Sequence, residues 1–143
     1  MGDSTPSGGT LPTDPAPRVL VIEDDVSVRH TFDRMLSARG YRVSVARDVD
    51  DGLLQLDSAR FDAVLLDFRM PRANGLVFLR RLRGHGSHAQ LPVAVVTGDY
   101  FIPPAIVREL SDLDASIHFK PLSTDALADI IARLLRRGHR GRG

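Results

Sequence analysis

Five times along this chain a short run rich in β-branched residues gives way to a segment whose apolar residues recur at helical spacing. The runs are RVLVI (18–22), YRVSVA (41–46), FDAVLL (61–66), LPVAVVT (91–97) and ASIHF (115–119). The stripes that follow are Val28, Phe32, Met35 and Leu36, then Val49, Leu53 and Leu56, then Leu76, Leu79 and Leu82. Ile106 with Leu110, and finally Leu127, Ile130, Ile131, Leu134 and Leu135, complete the series. Side chains alternate across a strand and return every 3.6 residues on a helix, so this pattern predicts the order (βα)5. Gly40 stands where a helix C-terminal glycine belongs, and Asp48, Asn74 and Ser123 are candidate N-caps. Strict alternation implies an α/β fold, with a parallel sheet, right-handed crossovers and helices on both faces. The near-continuous apolar strands agree, because central parallel strands are buried on both sides. In such folds the functional crevice lies beyond the carboxyl ends of the strands, at the topological switch point.

A length of 143 residues suits one domain of this kind. Residues 1–17, almost all Gly, Pro, Ser, Thr and Asp, are expected to be a disordered leader or linker. Residues 18–137 form the domain, and 138–143 are expected as a basic flexible tail. The net charge of +1 gives no reason to expect nucleic acid or a membrane surface as partner. There are no cysteines, which removes disulfides and thiolate metal sites and fits a reducing compartment. No apolar stretch approaches the roughly 20 residues of a membrane span, and the N-terminus lacks a signal core. The expected location is the cytoplasm.

Strand one ends in IEDD, which places Glu23, Asp24 and Asp25 at its tip. Strand three ends in Asp67, strand four in Thr97 followed by Gly98 and Asp99, and strand five in Lys120 followed by Pro121. Each has a bland reading by itself: the acids cap helix one, Asp67 makes a turn, Thr97 caps helix four, and Lys120 is a surface charge. Independent turn residues have no reason to converge on one edge of a sheet. Crowded carboxylates repel one another, and a hard divalent cation such as Mg2+ offsets that repulsion. A hydroxyl and an ammonium opposite them complete a site for a phosphoryl group. An aspartate within such a site can itself be the nucleophile, and Asp67 emerges from the central strand.

With the motifs VLVIEDD, VLLDFRMP, VAVVTG and FKPL each at a strand end, the chain resembles the response-regulator receiver domain of bacterial two-component signalling. The likeness covers roughly Arg18 to Arg137. It implies a flavodoxin-like, doubly wound five-stranded parallel sheet of order 2-1-3-4-5. By the resemblance, Asp24 binds Mg2+ directly, Glu23 binds it through water, and Asp67 is both ligand and phosphoacceptor. The backbone carbonyl of Arg69 supplies a further ligand, Thr97 and Lys120 contact the phosphoryl group, and Asp25 is the variable residue after the acidic pair. The Lys120–Pro121 bond is expected to be cis. A histidine kinase or histidine phosphotransfer protein is the implied donor, and helix four, strand five and helix five form the implied output surface. Such a chain is a switch rather than an enzyme, catalysing only its own phosphorylation and dephosphorylation.

Several positions depart from the pattern. Ile117 occupies the position of an aromatic switch residue, without the hydroxyl and the large side-chain swing. Tyr100 and Phe101 are expected to open helix four nearby. Arg69 and Asp99 stand second after the phosphoacceptor and the threonine, where a pair of opposite charges would obstruct attacking water. Such an exposed pair would contribute under about 1 kcal/mol to stability. The histidines of HGSHA (85–89) read as part of a loop. The rival reading is a haloacid-dehalogenase-like Mg2+-dependent phosphatase. It needs a second acid two residues after the nucleophile, where Arg69 stands, and usually a cap domain. A pseudo-receiver that only binds would lack an acid or the lysine, and none is missing.

Overall fold

The computed structural model describes residues 15–68, 75–84, 86–99 and 101–142. Strands β1 (Arg18–Ile22), β2 (Arg42–Ala46), β3 (Ala63–Asp67), β4 (Val93–Thr97) and β5 (Ala115–Phe119) alternate with helices. These are α1 (Val26–Ala38), α2 (Val49–Ser58), α3 (Gly75–Arg83), α4 (Pro104–Asp112) and α5 (Thr124–Arg142). A short 3-10 turn, Gly86–His88, precedes β4. The strands form one parallel sheet of order β2-β1-β3-β4-β5, so the chain reverses its winding between β1 and β3. This is the expected doubly wound, flavodoxin-like architecture.

Side-chain alternation divides the core in two. Leu20, Ile22, Val64, Leu66, Val93 and Val95 face Leu56 of α2, Phe78 and Leu79 of α3, and Leu110 of α4. Val19, Val21, Ala63, Leu65, Ala94 and Val96 face Phe32 and Leu36 of α1, with Leu127, Ile131 and Leu134 of α5. Every residue of β3 and β4 is buried, which is why these strands are continuously apolar up to their last residue. At β2, an edge strand, the Gln55 side chain donates to the Val45 carbonyl at 2.7 Å and satisfies one group that the ladder leaves open.

The helix ends follow local chemistry. Asp48 accepts from the Asp51 N–H at 2.8 Å, and the Ser123 hydroxyl accepts from the Ala126 N–H at 3.0 Å. The Asn74 cap lies outside the described residues. After α1 the chain passes through Gly40 at φ +91°, with Gly40 N–H on the Ser37 carbonyl and Tyr41 N–H on the Leu36 carbonyl. That pair of bonds is a Schellman closure, and the left-handed conformation explains the glycine.

Two ends differ from expectation. Phe101 does not open α4: it lies before the helix and is 76% exposed, while Tyr100 lies outside the described residues. The cause is Pro103–Pro104, since a residue before proline is pushed out of the helical region and proline suits the first helical position. At the other end, α5 continues through Gly138 to Arg142, where a tail was expected from 138. A Cβ at Gly138 would stand 2.8 Å from the Pro92 ring, so the missing side chain lets α5 pass close to the entrance of β4. Residues 1–14 of the expected leader lie outside the described residues; the Ala16 and Pro17 carbonyls accept from Arg42. No helix among the described residues is long and apolar enough to cross a membrane.

Candidate functional site

Glu23 follows directly on β1, and its N–H donates to Ala46 of β2 at 3.0 Å, extending the pairing by one residue. Its side chain is carried inward, and the residue is 1% exposed. Oε2 accepts from the Asp25 N–H at 3.2 Å, and the Glu23 carbonyl accepts from the Arg29 guanidinium at 3.0 Å. On the neighbouring strand Asp67 closes β3 and is 7% exposed. Lys120, one residue past β5, donates its Nζ to Glu23 Oε1 at 2.8 Å and stands 3.7 Å from Asp67 Oδ1. Asp24 is exposed, yet carboxylate oxygens of Glu23, Asp24 and Asp67 all lie within 4.8 Å of one another.

Thr97 closes β4 and is fully buried. Its Oγ1 accepts from the Asp99 N–H at 3.0 Å, and its carbonyl accepts from the Lys120 N–H at 2.9 Å. The second of these bonds ties the lysine to the edge of β4. The following peptide, Lys120–Pro121, is cis, as the sequence led one to expect.

These groups line an open cleft of about 440 Å³, bounded by Glu23, Asp24, Asp25, Val28, Asp67, Gly98, Asp99 and Lys120. A larger cleft, about 860 Å³, lies between the α2–β3 and α3–β4 loops at the amino-terminal edge of the sheet. The chemistry belongs to the smaller one, because two buried carboxylates and an ammonium meet there. Glu23, Asp24 and Asp67 outnumber the one ammonium among them, and their three carboxylates offer hard oxygen ligands. That donor set fits Mg2+, which takes one or two carboxylates and keeps several waters.

The fold thus brings Glu23, Asp24, Asp67, Thr97, Asp99 and Lys120 to one edge of the sheet. Ile117 is partly buried and packs against the core on the α2–α4 side. Arg69, with its backbone carbonyl and its pairing to Asp99, lies outside the described residues, as does His85. Two further residues shape the site, and of these only Arg29 was not singled out in the sequence. Asp25, read as the variable position, accepts from the Val28 N–H at 3.1 Å and caps α1. Arg29 reaches back from α1 to Glu23; an arginine one turn into a helix that begins at an acidic loop was the available signal.

Comparison with known proteins agrees with this geometry. Residues 19–132 match the family described as Response regulator receiver domain. Response regulator MprA of Mycobacterium tuberculosis is 38% identical over 123 residues, covering 84% of this chain and 51% of that protein. The chain thus spans about half the length of the MprA regulators it matches. Among solved structures, the chemotaxis protein CheY4 of Vibrio cholerae superposes with a TM-score of 0.77 at 26% identity, over 84% of this chain and 99% of that one. NtrX of Brucella abortus gives a TM-score of 0.79 at 27% identity, over 89% of this chain but 29% of its own.

Proposed function

This chain belongs to the response regulator receiver domain family, and from that membership we propose that it accepts a phosphoryl group on Asp67 in the presence of Mg2+. The observation that carries the proposal is the convergence of Glu23, Asp24 and Asp67 on one point, with the Lys120 ammonium against two of them. An Asp67 carboxylate oxygen attacks phosphorus, the bond from phosphorus to the donor nitrogen breaks, and an acyl phosphate forms on the aspartate. In this reading Lys120 would pair with the incoming charge, and the Thr97 hydroxyl would donate to a phosphoryl oxygen. Glu23, Asp24 and Asp67, with the Arg69 carbonyl, would hold Mg2+, which when bound neutralises charge on the transferred group.

The donor is a histidine kinase or a histidine phosphotransfer protein, and the readout is a surface change on α4, β5 and α5 toward a downstream protein in the cytoplasm. Ile117 gives that surface an aliphatic packing contact in place of an aromatic swing. The protein acts as a switch, and its only catalysis is on itself. The phosphatase reading is disfavoured by Arg69, which occupies the position of the second acid.

Incubation with acetyl phosphate tests the proposal by intact-protein mass spectrometry. One phosphoryl group is expected with Mg2+, none with EDTA, and none on Asp67→Asn. Full labelling of that variant, or labelling indifferent to EDTA, would overturn the assignment.

A further inference from the structure

Asp24 is the exposed member of the acidic cluster, and nothing in its own burial keeps its carboxylate beside two others. Like charges at such distances favour the geometry in which the exposed one swings into water. Its direction is set by the backbone on either side. The Glu23 carbonyl and the Asp24 N–H belong to one planar peptide unit, so fixing the carbonyl oxygen fixes the plane from which the Asp24 Cα departs. The Arg29 guanidinium donates to that oxygen at 3.0 Å. The Arg29 backbone N–H donates to the Asp25 carbonyl at 2.9 Å. One residue of α1 therefore grips the chain on both sides of Asp24. Asp25 adds its cap on Val28 and its N–H on Glu23 Oε2, which joins the acidic loop and the first turn of α1 into one unit.

We propose that Arg29 is a positioning residue for the metal-binding edge of the site, holding the Glu23–Asp24 peptide so that Asp24 faces Asp67. This rests on the phosphoacceptor reading above, in which Asp24 is a direct ligand. The role is separable from a charge effect because the two act in opposite directions. A guanidinium near a cation site repels the cation, so removing it for electrostatic reasons alone would tighten Mg2+ binding. Removing a clamp loosens Asp24 and weakens binding.

The test uses the full chain with Arg29→Met, Arg29→Gln and Arg29→Lys. Methionine keeps the aliphatic stem and a good helix propensity. Glutamine, too short to reach the carbonyl, serves if the methionine variant does not fold. Mg2+ affinity is measured by calorimetry without any phosphodonor, alongside thermal unfolding. Loss of a charged hydrogen bond that fixes a ligand is expected to weaken Mg2+ binding about tenfold in Arg29→Met and Arg29→Gln. Arg29→Lys, which keeps a charged donor but not the planar fork, is expected to recover part of the loss. Phosphorylation of the wild type from acetyl phosphate at saturating Mg2+ is measured in parallel. Wild-type protein that binds Mg2+ but takes no phosphoryl group would overturn the phosphoacceptor reading and leave the affinity comparison to decide the role of Arg29. Unchanged or tighter Mg2+ binding in folded Arg29→Met or Arg29→Gln would overturn the positioning role.

Discussion

The Lys120 ammonium donates to the Glu23 carboxylate at 2.8 Å across 97 residues of sequence, and the same nitrogen stands 3.7 Å from Asp67. The Glu23 side chain is 2% exposed and that of Lys120 22%, so the pair is buried on one side and wet on the other. Without the lysine, the Glu23 and Asp67 carboxylates would lose the cation that they share. Breaking a fully buried pair costs about 3–5 kcal/mol, and the partial exposure of Lys120 brings the expectation for Lys120→Met to about 2–3 kcal/mol. Added Mg2+ should then stabilise the variant more than the wild type, because metal and lysine neutralise the same carboxylates. Thermal unfolding with and without Mg2+ checks this; equal increments in both proteins would count against it.

Asp24 and Asp25 are adjacent acids with separable roles. Asp25→Ala removes the cap on Val28 and is expected to cost about 1 kcal/mol of stability. Asp24→Ala is expected to leave stability nearly unchanged or raised, since it removes repulsion, while weakening Mg2+ binding far more than Asp25→Ala does. Paired metal titrations and unfolding curves separate the two. Equal losses of affinity would place the acidic pair one residue later.

Arg83 shows how the opposite edge of the sheet is closed. Its Nε donates to the Leu113 carbonyl at 2.8 Å, and Nη1 donates to the Leu91 and Ala89 carbonyls at 2.6 and 3.1 Å. Burial lowers the proton affinity of the guanidinium, the neighbouring Asp114 raises it, and Arg137 lowers it further. Arg83→Met leaves several carbonyls without their donor and is expected to cost about 2–4 kcal/mol. Mg2+ affinity should not change, because the site lies at the other edge. Urea unfolding and metal titration of the same sample would show both.

Stability should also depend on His118, whose ring nitrogen lies 3.0 Å from the Ser116 hydroxyl. Burial first, and then the positive charge of Arg133, hold its pKa below the ordinary 6.5. The unfolded chain therefore binds a proton at higher pH than the folded one does. This contribution is fully present above 6.5 and is lost as the pH falls below that value toward the lowered folded pKa. Urea midpoints compared between pH 7.5 and 5.5 should fall more for wild type than for His118→Gln. Parallel curves would remove His118 as the cause.

Periodicity carried most of the fold, and its errors lie at element boundaries. Strands β1 and β5 begin and end where the apolar runs do. Strand β3 was read from Phe61 to Leu66 but runs from Ala63 to Asp67. Phe61 is apolar because it is buried beneath the Arg18 guanidinium, not because it pairs in the sheet. Leu91 is likewise buried, with its N–H turned to the His88 carbonyl. Local pattern reports burial, and hydrogen bonding decides which buried residues belong to a strand. At the site, the residue types at four strand ends were legible because a parallel sheet gathers its carboxyl ends along one edge. The sharing of Lys120 between Glu23 and Asp67 was not, since it depends on which strands are neighbours. The Arg29 bond depends on how α1 folds back toward β1, which spacing along one helix does not report.

Asp67, and no other acid of the cluster, is expected to become an acyl phosphate. Borohydride reduces an acyl phosphate to the alcohol, which would convert an aspartate so modified into homoserine. Peptide mapping after phosphorylation with Mg2+ and reduction is expected to find homoserine at position 67 alone, and none when Mg2+ is withheld. Homoserine at position 24 or 25, or phosphorylated protein in which residue 67 remains aspartate after complete reduction, would show that Asp67 is not the sole acceptor.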